Sequence, residues 1–136
     1  MRCSLSCALF SLTLVTSCAG DSISIERNGA AIASYCIDRA TTAAERAMGL
    51  RGRTELCAEC GLLIEFPRAT EACIENDGVG FAIDVVYFND LGRVTAVERN
   101  VAADDATSRC VLDVLSVLEV GGGEAAEIAV GDEIVH

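Results

Sequence analysis

Residues 82–88, AIDVVYF, crowd β-branched and aromatic side chains into a single run. Behind the turn Asn89-Asp90-Leu91-Gly92, residues 93–99, RVTAVER, return in alternation. Side chains of that kind lose rotamer freedom in a helix and pack well on a pleated surface. The two runs therefore read as neighbouring antiparallel strands, and the rest of the chain must supply a sheet that accepts them.

Other segments agree. Asn28-Gly29 sits between two alternating runs and predicts a tight hairpin turn, since both residues tolerate positive φ. Thr42 followed by Glu45 matches a capping box, with Ala43, Ala47 and Leu50 on one face, so a short helix is expected over about 42–50. GLLIEF (61–66) reads as a buried strand stopped by Pro67, the single proline of the chain. CVLDVLSVLEV (110–120) is read as a strand in its first half and a helical turn near SVLEVGGG; short apolar runs do not separate the two by period alone. Gly131-Asp132 is expected as a turn between two short closing strands. The class is α+β, mostly β: a compact, mostly antiparallel, barrel-like sheet with one short helix.

The amino end sets the compartment. Residues 1–17, MRCSLSCALFSLTLVTS, carry Arg2 before a short apolar core that is too short for a permanent membrane helix, and read as an export signal. Val15-Thr16-Ser17-Cys18 resembles the bacterial lipobox, which implies lipidation of Cys18 as the first mature residue. Each buried methylene of such a chain adds roughly 0.8 kcal/mol of membrane affinity. The alternative is an ordinary signal cleaved after Ala19, giving a secreted soluble protein. Residues 18–22 then form a tether and 23–136 a single domain. The basic residues number 10, all Arg, against 21 acids. Without Arg2, nine against 21 leave a net charge of −12, which argues against a nucleic-acid partner. The expected site is the periplasmic face of a bacterial membrane, as a monomer.

The segments ATTAAERAMGLRGRTEL, GLLIEF, ENDGVGFAIDVVYFNDLGRVTAV, CVLDV and AVGDEI occur in that order with short gaps. This arrangement resembles the family called domain of unknown function 192, over roughly residues 34 to 135. The positions that carry the likeness are Glu45, Arg46, Gly49 with Leu50, and Arg53; Asn76 and Asp84; and Gly131 with Asp132. The resemblance implies a compact β-rich domain and no particular activity. Where the family usually shows Trp-Met-Lys-Asn-Thr, this chain has Cys73-Ile74-Glu75-Asn76-Asp77, and only Asn76 is unchanged. The family also tends to carry an aromatic where Cys110 stands. Two aromatics replaced by thiols suggest that Cys73 and Cys110 face one another in the core as a disulfide.

In an oxidising compartment disulfides are the default use of cysteine. Cys57-Ala58-Glu59-Cys60 has the spacing of a redox motif, but it precedes a strand and sits among acids, which favours a local structural disulfide over a redox centre or part of a metal site. These pairings leave Cys36 odd, buried and reduced. Glu75, Asp77 and Asp84 offer oxygens suited to a hard cation such as calcium, yet a solvated loop end is the plainer reading. With His136 as the only histidine, no Ser-His-Asp or Cys-His arrangement is possible, and no cofactor or metal is expected. Three functions follow. The first is a non-enzymatic envelope module that binds an envelope protein or small ligand. The second is an enzyme acting on a cell-envelope or sugar substrate through Asn76, Asp84 and nearby acids. The third is thiol or metal handling by Cys57 and Cys60.

Overall fold

A computed structural model describes residues 18–136; the expected signal, 1–17, lies outside the described residues. The chain forms β1 (Asp21–Arg27), β2 (Ala30–Ala40), α1 (Ala43–Met48), β3 (Cys60–Ile74), β4 (Ile83–Phe88), β5 (Val94–Val101), β6 (Arg109–Gly121) and β7 (Glu133–Val135). They make a seven-stranded sheet in the order β5-β4-β6-β3-β2-β1-β7. All neighbours pair antiparallel except β2 with β3. The mostly β expectation holds. The barrel does not close: its edges meet at one end, where Arg93 bridges Glu133 and Val94 N donates to Asp132 O at 2.8 Å.

The hairpin at Asn28-Gly29 forms as expected, with φ of 53° and 78°. The capping box is complete: Thr42 Oγ1 accepts from Glu45 N, and Glu45 Oε1 accepts from Thr42 N, each at 3.1 Å. Three expectations are corrected. Residues 110–120 are strand throughout, because β6 is flanked by β3 and β4 and its backbone groups are taken by both. Pro67 does not end β3. It sits exposed where the ladder to β6 shifts register between Glu65 and Thr70, and a bulge needs no N–H from proline. The segment before Gly131-Asp132 is a series of turns, and only β7 follows. The expected tether is also short, since Asp21 and Ser22 already pair with Ile37 and Cys36.

Alternation divides the core between the two faces of the sheet. Leu62, Ile64, Val85, Tyr87 and Val117 pack on one face with Ala40, Leu50, Ile74 and Val79. Leu63, Val86, Phe88, Leu118 and Val120 pack on the other with Ile23, Ile25, Tyr35 and Ile128. The central strands are thus apolar on both sides, so any charge placed there is conspicuous.

Candidate functional site: a polar cavity beside strand β6

Glu119 is one of two such charges, with Asp84 on β4. It lies between Leu118 and Val120 on β6, opposite Leu62 of β3 and Val85 of β4, and is only 4% exposed. Its place in the alternation puts it on the face of Leu62 and Val117, under the segment that follows α1. A cavity of about 270 Å³ opens there, lined by Glu119, Asn76, Arg46, Gly49, Arg51 and Glu75 among others. Burial pushes the Glu119 carboxyl up to about 7, against the opposing pull of Arg51 and Arg53. Its Oε2 is buried and has no hydrogen-bond partner in the protein.

Asn76 forms a second part of the wall. It is fully buried, and its amide nitrogen donates to Phe81 O at 3.0 Å and Ala102 O at 2.9 Å. That fixes the loop between β3 and β4 and leaves Oδ1 buried without a partner. Two acceptor oxygens from different elements therefore stand unpaired at one cavity. Gly49, the C-cap of α1 at φ 53°, lines the same wall; a Cβ there would come within 3.8 Å of Glu119 Oε2. A residue with a side chain would meet both backbone strain and the cavity itself.

Two arginines line the cavity. Arg46 is committed elsewhere: it donates to Thr41 O at 2.5 Å and Glu65 O at 3.2 Å and lies 5.6 Å above the Phe66 ring. Arg51 donates once, to Ala47 O at 2.9 Å, and makes no ion pair among the described residues. Arg53 pairs with Asp38 at 3.1 Å.

The structure separates the other motif positions from this site. Asp84, fully buried, accepts from Asn100 N at 2.8 Å through Oδ1 and from Gly123 N and Ala125 N at 3.0 and 2.9 Å through Oδ2. Both oxygens are occupied by backbone, so Asp84 does not converge with Asn76, and a cation site with Glu75 and Asp77 does not assemble. Asp132 holds Arg27 through two bonds of 2.8 and 2.9 Å and also accepts from Ala129 N, which secures the turn at Gly131. Glu45 serves the capping box.

Disulfides join Cys57 to Cys60 and Cys73 to Cys110. The first closes the turn that leads into β3 and is not at a helix N-terminus. The second spans directly opposed positions of β3 and β6, but both residues are exposed; it crosses the sheet surface instead of replacing an aromatic pair in the core. Glu71 brings a carboxylate oxygen near those two sulfurs, which are bonded to one another and so are poor metal donors. Cys36 is not odd: it is joined to Cys18 and partly buried.

The residue that sequence reasoning missed is Glu119. Its signal was an acid at an apolar position of a doubly flanked strand, which the helical reading of SVLEVGGG concealed.

No curated protein matches the chain. Among solved structures it is similar to a protein of unknown function from Novosphingobium aromaticivorans DSM 12444. That pair is 26% identical, with a TM-score of 0.79, and the match covers 85% of this chain and 84% of that one. It also shares its fold with a "putative transcription regulator" from Sinorhizobium meliloti 1021, 15% identical, TM-score 0.79, covering 84% and 91% of the two chains. The family model described as an uncharacterised ACR, domain of unknown function 192, matches residues 23–136, and the chain belongs to that family.

Proposed function

We propose that this protein is an exported, lipid-anchored domain that binds a small polar ligand in the cavity beside β6. One observation carries the reading: Glu119 Oε2 and Asn76 Oδ1, from two different elements, are buried without partners at the same cavity. An unsatisfied buried acceptor costs about 1–3 kcal/mol, so a ligand whose donors reach both recovers stability that the empty fold lacks. Export is supported by the sequence before Cys18 and by the Cys57–Cys60 and Cys73–Cys110 disulfides, and anchoring by the lipobox-like run that ends at Cys18. The acidic charge supports a partner other than nucleic acid.

The test is the carbon resonance of the Glu119 carboxyl in labelled protein, titrated with mixtures of small polar compounds. Some mixtures should move that resonance and raise the melting temperature, and Glu119→Leu should abolish the rise in melting temperature. A resonance that no mixture moves refutes the site.

A second reading, acid–base chemistry on the bound ligand, is favoured by the Glu119 carboxyl at about 7, near the pH at which a proton is most readily exchanged. Mass analysis of the ligand after incubation decides it; an unchanged ligand leaves binding alone.

A further inference from the structure

The two unpaired atoms are both acceptors, so they call for donors. Glu119 is an acid, so ionised it favours a donor that carries positive charge. A bare divalent cation suits the place poorly, because Arg46 and Arg51 line the same wall. A simple anion suits it poorly too, because Glu119 and Glu75 line it as well. The wall is of mixed sign, and its anion-binding element is Arg51. One backbone contact holds that guanidinium, and the planar fork keeps donors free for a carboxylate. The Arg51 stem packs against Gly78: a Cβ there would stand 3.5 Å from Arg51 Cγ, an ordinary packing distance. The arginine is thus positioned by packing while its head remains available.

Size narrows the class. About 270 Å³ lies just under the roughly 300–1,000 Å³ of sites that enclose drug-sized ligands. We propose that the cavity takes a small amino-carboxylate zwitterion of the amino-acid or short-peptide class, with its ammonium on Glu119 Oε2 and Asn76 Oδ1 and its carboxylate on Arg51. This rests on the reading of the cavity as a ligand site.

The experiment is calorimetry at pH 8, where Glu119 is ionised, on processed protein recovered from the bacterial envelope. Three probes are compared: L-alanyl-L-alanine, its C-terminal amide and its N-acetyl derivative. The free dipeptide should bind, and each blocked form should bind about ten-fold more weakly or less. E119Q should weaken the dipeptide while leaving the N-acetyl form unchanged, and R51Q should do the same for the amide. Gln matches Glu in size and shortens Arg51 at its tip, and melting curves confirm that both variants fold. Equal binding of all three probes, or binding of none, overturns the zwitterion assignment. If none binds while small-compound mixtures still move the Glu119 resonance, the ligand class alone falls; if neither occurs, the site falls with it.

Discussion

Asp84 and Glu119 are two buried acids in one sheet, and they differ in what surrounds their oxygens. Asp84 accepts three backbone N–H groups, whereas Glu119 keeps one oxygen unpaired at a cavity. Asp84→Ala strands three donors and should destabilise the fold by about 3 kcal/mol or more, measured by urea unfolding at pH 7. Glu119 makes stability depend on pH. Its carboxyl rises from 4.5 to about 7 on folding. Below the lower value both states hold the proton and nothing is lost. Between the two, the unfolded chain ionises while the folded one does not, so stability falls as pH rises. Above about 7 the deficit levels off at about 3 kcal/mol. Glu119→Gln should therefore flatten that part of the stability–pH curve, and an unchanged slope between pH 5 and 7 refutes the assignment. Asp84 was legible in the sequence because it interrupts an obvious strand and matches a family position. Glu119 was not, because the unpaired oxygen depends on what α1 and the loop after β3 bring over it.

At the scale of elements, the β3–β6 ladder organises the sheet, and two features test it. Gly61 passes so close to β6 that a Cβ would stand 2.9 Å from Glu119 O and 3.0 Å from Val120 Cγ1. Gly61→Ala should push the strands apart and cost about 1–3 kcal/mol, read as a lower denaturant midpoint. At the far end, Cys73–Cys110 pins opposed residues across a separation of 37. Replacing both with Ser should cost roughly 3–4 kcal/mol, mainly through the unfolded chain. A double variant as stable as the parent under non-reducing conditions refutes that contribution. The strands rich in branched residues, β4 and β5, and the capped helix were readable from local pattern. The second half of β6 was not, because Val117 on one face and Leu118 and Val120 on the other are all apolar, and the period is lost when both faces are covered. The course of β3 past Pro67 was hidden for a related reason: a bulge decided by its partner strand absorbs the missing N–H.

For the whole molecule, the amino end poses a choice that one sulfur cannot make twice. In the structure Cys18 is bonded to Cys36 on β2, with Cα atoms 5.5 Å apart, and Cys36 stands opposite Cys60 of the next disulfide. The proposed lipid would occupy the same Cys18 sulfur through a thioether. A given molecule is therefore either lipidated with a free Cys36 thiol, or bridged and unanchored. Because β1 starts at Asp21, only Ala19 and Gly20 separate the anchor from the sheet, about 10 Å of extended chain at most. An anchored domain would ride directly on the bilayer, held by acyl chains against the repulsion that its acidic surface meets at anionic lipid. The prediction is that protein extracted from the envelope carries acyl mass on its Cys18 peptide and takes up an alkylating reagent at Cys36 without prior reduction. Protein recovered from the soluble fraction should instead yield a linked Cys18–Cys36 peptide. Envelope protein with that linked peptide and no acyl mass would remove the anchor from the proposal, leaving the cavity beside β6 to be judged on its own test.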